Sequence, residues 1–266
     1  MGKYKFDKDN HLHASDGKPL MGTSTVVGVI AKPLTWWAAG LAVGKLGWIN
    51  SKIKIGNKYV FIPKEERINA VKSKLDEIKK MSPDEFLKLL DEGYKAHSVK
   101  LTDSAKDGTD LHAELERYVK WHMAGKSTVE SFAPRIDPFI KWVDKKVKRF
   151  LYSEGNCHSL EIWCGGISDV GAELTDGSYA IIDFKSSKEA YVTQFIQTGG
   201  YDIQIMENGI TDDEGNVVWR ADKPFTSYII VPFGADVIEP VIRTDVAELR
   251  DAFRAATVLH KIVSKE

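Results

Sequence analysis

Between residues 151 and 187 the hydrophobic period of this chain shortens, and the architecture follows from that change. LYSEG (151–155), SLEIWCGGISDVGAEL (159–174) and SYAIIDFKSS (178–187) hold β-branched and aromatic runs of strand length, parted by Gly-Asn and Asp-Gly turn signals. Three strands in succession are predicted. Before them, Leu111, Leu115, Tyr118 or Val119 and His122 recur at helical spacing until Gly125, and residues 137–150 set Phe139, Trp142, Val143 and Val147 on one helical face. After them, residues 189–208 return to helical spacing, 217–219 and 225–233 read as strands, and the tail from Thr244 reads as an amphipathic helix. The order predicts an α/β protein with a central mixed β-sheet flanked by helices.

The first hundred residues read as helical with interruptions. Ser24 or Thr25 caps a short helix that Pro33 stops, and TWWAAGLAVGKLGW forms a second that places Trp36, Trp37, Leu41 and Trp48 in a core. KIKIGNKYVFI (52–62) alternates about Gly56-Asn57, the pattern of a hairpin. Pro63 opens a charged helix to about Lys80, and Ser82-Pro83-Asp84-Glu85 caps another that ends near Gly93. Residues 1–107 are thus expected to form a helical N-terminal cap, packed on a core of residues 108–266 in one structural unit.

Composition excludes several classes. Thirty-seven Lys and Arg against 38 Asp and Glu leave a formal charge of −1, so bulk attraction to polyanions is absent and any nucleic-acid contact must be a local groove. The only cysteines, Cys157 and Cys164, cannot assemble a disulfide framework, a four-thiolate zinc site or an iron–sulfur cluster. A reducing, cytoplasmic setting is expected. The opening MGKYKFDKDNHLH lacks an apolar signal core, and residues 26–31 are too few to span a bilayer, so no membrane association is expected. AGKS (124–127) lacks the preceding glycine of a nucleotide-binding loop, GISDVG (166–171) is one residue too long for a serine-hydrolase elbow, and no His-x-x-x-His pair occurs.

What remains is a set of hard oxygen donors beside one lysine. Asp169 lies on the strand before the Asp176-Gly177 turn, and Asp183 and Lys185 lie two apart in IIDFKS, hence on one face of a strand with Phe184 on the other. Two carboxylates converging with a main-chain carbonyl, that of Phe184, suit Mg²⁺ or Mn²⁺, ions that retain waters for a substrate. A neighbouring lysine can hold the attacking water while the metal offsets charge developing on a phosphoryl group. Each residue also has an ordinary alternative, since strand-end aspartates form turns and Asp-x-Lys pairs form surface ion pairs.

Four patches in order, GTDLH (108–112), GGISD ending at Asp169, IIDFKSS with Asp183 and Lys185, and QTGGY (197–201), resemble the PD-(D/E)XK nuclease superfamily. The likeness is to its RecB-type exonuclease branch, which includes phage nucleases and the mitochondrial genome maintenance exonuclease. It implies a restriction-endonuclease-like core, with Asp169, Asp183 and His112 at the metal and Lys185 acting on the nucleophilic water. It also implies that Gln197 and Tyr201 border the site and contact DNA or position the lysine. Gln194 shares their helical face, and Glu116 shares that of His112. Glu154 and Glu161 are further carboxylates near the strands and lesser candidates for the site, since alternation could direct Glu161 toward it or away and leaves Glu154 similarly open. Lys145, Arg149 and Lys188, together with Lys141, Lys146 and Lys148, are candidates for a phosphate track, with an ordinary solvated helix face as the alternative. The expected activity is metal-dependent exonucleolytic cleavage of DNA from single-stranded ends, in phage-type processing, recombination or repair. The rivals are a structure-specific endonuclease and a non-cleaving DNA-end-binding recombination protein. With two cysteines the iron–sulfur subfamily of the CRISPR adaptation nucleases is disfavoured, and without a helicase motif any translocation falls to a recombination or replication partner.

Overall fold

The computed structural model describes residues 3–31, 35–55, 58–126, 128, 130–234 and 238–264, with the side chains of residues 35–37, 54–55 and 100–109 outside that description. The chain divides into two compact units, one of residues 32–106 and one combining residues 1–31 with 107–266.

The N-terminus is not helical as expected. Strands β1 (Tyr4–Asp7) and β2 (Leu12–Ser15) form an antiparallel hairpin that β3 (Lys18–Pro19) extends. Tyr4 and Phe6 are buried on β1, and His13 and Ser15 on β2, an alternation of two that charged neighbours conceal in the sequence. The next segment, β4 (Met21–Gly22), leads into α1 (Thr23–Val27) and a 3-10 turn over Gly28–Ile30, where a short helix was expected.

His13 is only 5% exposed, its Nδ1 lies 2.6 Å from Tyr4 Oη, and the Tyr4 ring stacks on His158 at 3.9 Å. Burial, then the neighbouring His11 and His158, lowers the His13 pKa to about 4. A folded-state pKa below the ordinary value means the unfolded chain binds the proton more readily. Stability is therefore complete above the ordinary histidine range and falls as the pH drops from about 6.5 toward 4, by up to about 3 kcal/mol from this group. The difference in urea midpoint between wild type and His13→Gln, followed from neutral to mildly acidic pH, isolates this group from the carboxyls that titrate in the same range; a difference that stays constant with pH would show that His13 is not a source of the loss.

Residues 32–106 contain α2 (Thr35–Gly44), the hairpin of β5 (Lys52–Ile55) and β6 (Lys58–Phe61), α3 (Lys64–Ile78) and the start of α4 (Pro83–Met123). The expected hairpin is present, its 56–57 turn lying outside the described residues. Ser82 and Glu85 cap α4 reciprocally, the Glu85 N–H donating to Ser82 Oγ and the Ser82 N–H to Glu85 Oε2. The expected stop near Gly93 does not occur, and α4 runs on for 41 residues. A Cβ at Gly93 would lie 3.3 Å from the Ala42 carbonyl oxygen, so that glycine admits α2 rather than ending α4. Trp48, expected in a core, is 41% exposed because it follows the turn after α2 and leaves the helical face. The side chains of Trp36 and Trp37 lie outside the description.

Beyond α4 come α5 (Asp137–Lys146), β7 (Val147–Ser159), β8 (Cys164–Leu174), β9 (Tyr179–Lys185), α6 (Val192–Asn208), β10 (Ile210–Thr211), β11 (Val217–Trp219), β12 (Phe225–Pro232), β13 (Val241–Arg243) and α7 (Val246–Val263). They build an eight-stranded sheet ordered β11-β10-β7-β8-β9-β12-β13, with β4 beside β8. The β9–β12 and β4–β8 pairs are parallel and the others antiparallel, so the sheet is mixed, as expected. Helix α5 stops short of residue 150, because Val147 and Phe150 enter the β7–β8 ladder opposite Leu174 and Ala172. Residues 160–163 likewise turn between β7 and β8 instead of belonging to a strand.

Alternation along β9 feeds two cores. Ile181 packs with α1, α6 and α7 through Val26, Ile205 and Phe253, while Ile182 and Phe184 pack with α4 and α5 through Leu115, Tyr118, Phe139 and Val143. Helix α7 approaches α6 closely because a Cβ at Gly200 would sit 2.5 Å from the Phe253 ring. Phe253 is fully buried, and its truncation to Ala would remove about 3–5 kcal/mol. Among the described residues no helix is long and apolar enough to cross a membrane.

Candidate metal centre

The β8–β9 ladder pairs Val170 with Ile182, and beyond that point β9 continues alongside β12. The Phe184 N–H donates instead to Asp169 Oδ2 at 2.7 Å, so the Asp169 side chain satisfies a backbone donor that the ladder has released. Across the other edge of β8, Ser153 pairs with Val170 and Gly155 with Ser168, which sets Glu154 opposite Asp169. Glu154 has φ +50°, a left-handed conformation uncommon for a non-glycine residue within a strand, and such strain gathers where a side chain must be aimed.

His112, from α4, reaches both carboxylates. Its Nε2 is 3.1 Å from Asp169 Oδ2 and its Nδ1 is 3.3 Å from Glu154 Oε1. One ligand atom from each of His112, Glu154 and Asp169 lies within 4.8 Å of the others. Near them, within the field of Asp169, Lys185 Nζ stands 2.7 Å from Asp183 Oδ2, an ion pair in which Asp183 is 1% exposed. The Phe184 ring lies on the other side of β9 from Asp183 and Lys185, as alternation requires, and meets the rings of Phe139, Phe233 and, edge-on at 5.7 Å, His112.

Electrostatics explains the protonation states. Burial, then the charge of Asp169, raises the Glu154 carboxyl to about 7. Burial also raises Asp183 to about 7, against the pull of Lys185 and with the push of Asp169. Burial opposes charge on His112, but the Asp169 hydrogen bond, with the fields of Asp169, Glu154 and Asp183, raises it to about 9. Lys185 is likewise held protonated, the carboxylates of Asp183 and Asp169 outweighing its burial. Three carboxylates thus crowd into one buried place, with the imidazole as counterion. Two carboxylates and an imidazole converging within ligand range fit a divalent cation, which would relieve that crowding.

The remaining sequence candidates occupy distinct positions. Gln197 Nε2 donates to Tyr201 Oη at 2.7 Å, and the buried Tyr201 ring covers Gly166, where a Cβ would come within 2.8 Å of it. Burial, then the nearby charges of Asp183 and Asp169, raises the Tyr201 pKa well above its ordinary value. Gln194 accepts from the Tyr191 N–H and donates to Ser187 Oγ, fastening the segment after β9 to the start of α6. Glu116 pairs with Lys120 one turn beyond His112, and both charges act on Glu154. Lys120 was not singled out from the sequence, although its spacing of eight from His112 puts it on the same helical face.

Lys145 and Lys188 are exposed. Arg149 and Lys148 both engage Glu173, at 2.7 and 2.9 Å, and these contacts lower its carboxyl to about 2. Glu161 does not join the cluster. It lies in the β7–β8 turn and lines a separate cavity of about 500 Å³ with Ile203, Glu207, Arg250 and Arg254. No protein-family model matches the chain. No curated protein matches it either.

Proposed function

We propose that this protein is a Mg²⁺- or Mn²⁺-dependent nuclease that hydrolyses DNA phosphodiester bonds, preferentially from single-stranded ends. The observation that carries the reading is the meeting of His112, Glu154 and Asp169 near the Asp183–Lys185 pair. His112, Glu154 and Asp169 would hold the cation, with Asp183 alongside. When bound, it supplies Lewis-acid stabilisation of charge developing on the phosphoryl group. Asp183 fixes the Lys185 ammonium, which donates a hydrogen bond to the water that attacks phosphorus and keeps that water oriented. Gln197 and Tyr201 order the wall of the site on the α6 side. The setting that fits this reading is the cytoplasm of a bacterial or phage-infected cell, with a recombination or replication protein as partner.

End-labelled single- and double-stranded DNA, linear and circular, incubated with Mg²⁺ or Mn²⁺ tests the reading. Degradation of linear single strands with circles spared is expected. Cleavage of circles would replace the exonuclease reading with an endonuclease one. Absence of cleavage on every substrate would leave the non-cleaving DNA-end-binding reading instead.

A further inference from the structure

The β5–β6 hairpin carries two aromatic rings in water. Tyr59 is 60% exposed and Phe61 74%, although a phenylalanine in a folded chain ordinarily gains by burial. They lie two apart on β6 and so share one face of the hairpin. Register sets Lys52 opposite Phe61 and Lys54 opposite Tyr59. Directly opposed residues share a face, so Lys52 stands on the same face as the rings. Lys52 Nζ lies 5.0 Å from the centre of the Tyr59 ring, so its charge stands over an aromatic face.

From this pattern we infer that the β5–β6 hairpin is a single-stranded nucleic-acid-binding surface, its rings stacking on bases and Lys52 meeting phosphate. Charge selects the occupant, because a second copy of the same face would set lysine against lysine, whereas a polyanion satisfies both. Ring spacing selects the strand state. Positions two apart on a strand are separated by about 7 Å, twice the roughly 3.4 Å between stacked bases along a duplex strand. Unstacked bases of a single strand can reach both rings, and paired bases cannot. The inference stands within residues 32–106 and does not depend on catalysis by the metal centre.

The test is fluorescence anisotropy of the full chain with labelled oligothymidylate in EDTA, so that cleavage cannot contribute, beside a duplex of the same length and phosphatidylserine vesicles. Phe61→Ala and Tyr59→Ala should each weaken single-strand binding roughly tenfold, and Phe61→Trp should restore it. Lys52→Gln leaves the rings in place and should lower the salt slope by about 0.7. Circular dichroism matching wild type keeps the alanine variants interpretable, and the tryptophan and glutamine variants decide the matter if either alanine variant unfolds. Unchanged oligothymidylate binding across folded variants would overturn the inference, as would variants that lose vesicle binding alone. Cleavage by wild type together with unaffected binding by the hairpin variants would remove this surface and leave the nuclease reading standing. Ring-dependent binding without any cleavage would do the reverse.

Discussion

Replacing Lys185 with Ala will reduce DNA hydrolysis at saturating substrate at least about a hundredfold, the scale on which removal of one preorganised donor slows catalysis. Two effects combine in that variant and can be separated. The ammonium proposed to orient water is gone, and Asp183, 1% exposed, loses the partner that stood 2.7 Å away. Breaking a buried pair costs about 3–5 kcal/mol where the remaining charge stays ionised. Asp183 escapes part of that cost because burial already raises its carboxyl to about 7, so it takes up a proton. Pairing Lys185→Met with Asp183→Asn removes both charges and should recover most of the lost stability while the rate stays low. Hydrolysis at the wild-type rate by a folded Lys185 variant would remove the lysine from the chemistry.

Mg²⁺ or Mn²⁺ will raise the melting temperature of the wild-type chain, and Asp169→Asn will abolish most of that rise. A ligand that binds only the folded state stabilises it by about 2.7 kcal/mol at a hundred times its dissociation constant. For a chain of this size that corresponds to roughly 5 °C. Asparagine is chosen because its carbonyl can still accept from the Phe184 N–H, the 2.7 Å bond that anchors β9 beside β8. Asp169→Ala would orphan that donor, which alone costs about 1–3 kcal/mol and confuses folding with ligation. Glu154→Gln should lower the metal response as well, since Glu154 is the third member of the cluster. A melting shift in Asp169→Asn equal to that of wild type would place the ion elsewhere.

The middle of this chain was more legible than its beginning. Alternation through IIDFKS, read with the Asp176-Gly177 turn, predicts that Asp183 and Lys185 share a face of the strand beside Asp169, and the structure has that arrangement. His112 could be singled out only through a family resemblance, because no local pattern says toward which strand a helix will turn. The aim of Glu154 is hidden from the sequence for a definite reason. Its position depends on a left-handed backbone within β7, and backbone propensity offers no signal for a glutamate there. The N-terminal hairpin was missed because β1 and β2 are four residues each and carry Lys, Asp and His between the buried positions. Gly93 was read as a helix end, whereas its role is to let another helix come near, a tertiary fact that local sequence does not carry.

The backbone at Glu154 has one further implication. Glycine would rest there without steric objection, yet it would bring no carboxylate to the imidazole of His112. A chain selected for ruggedness alone would discard the glutamate. If Glu154 holds the cation as proposed, a glycine at this position should make the fold more rugged and weaken metal binding together, a trade of durability against function at a single residue.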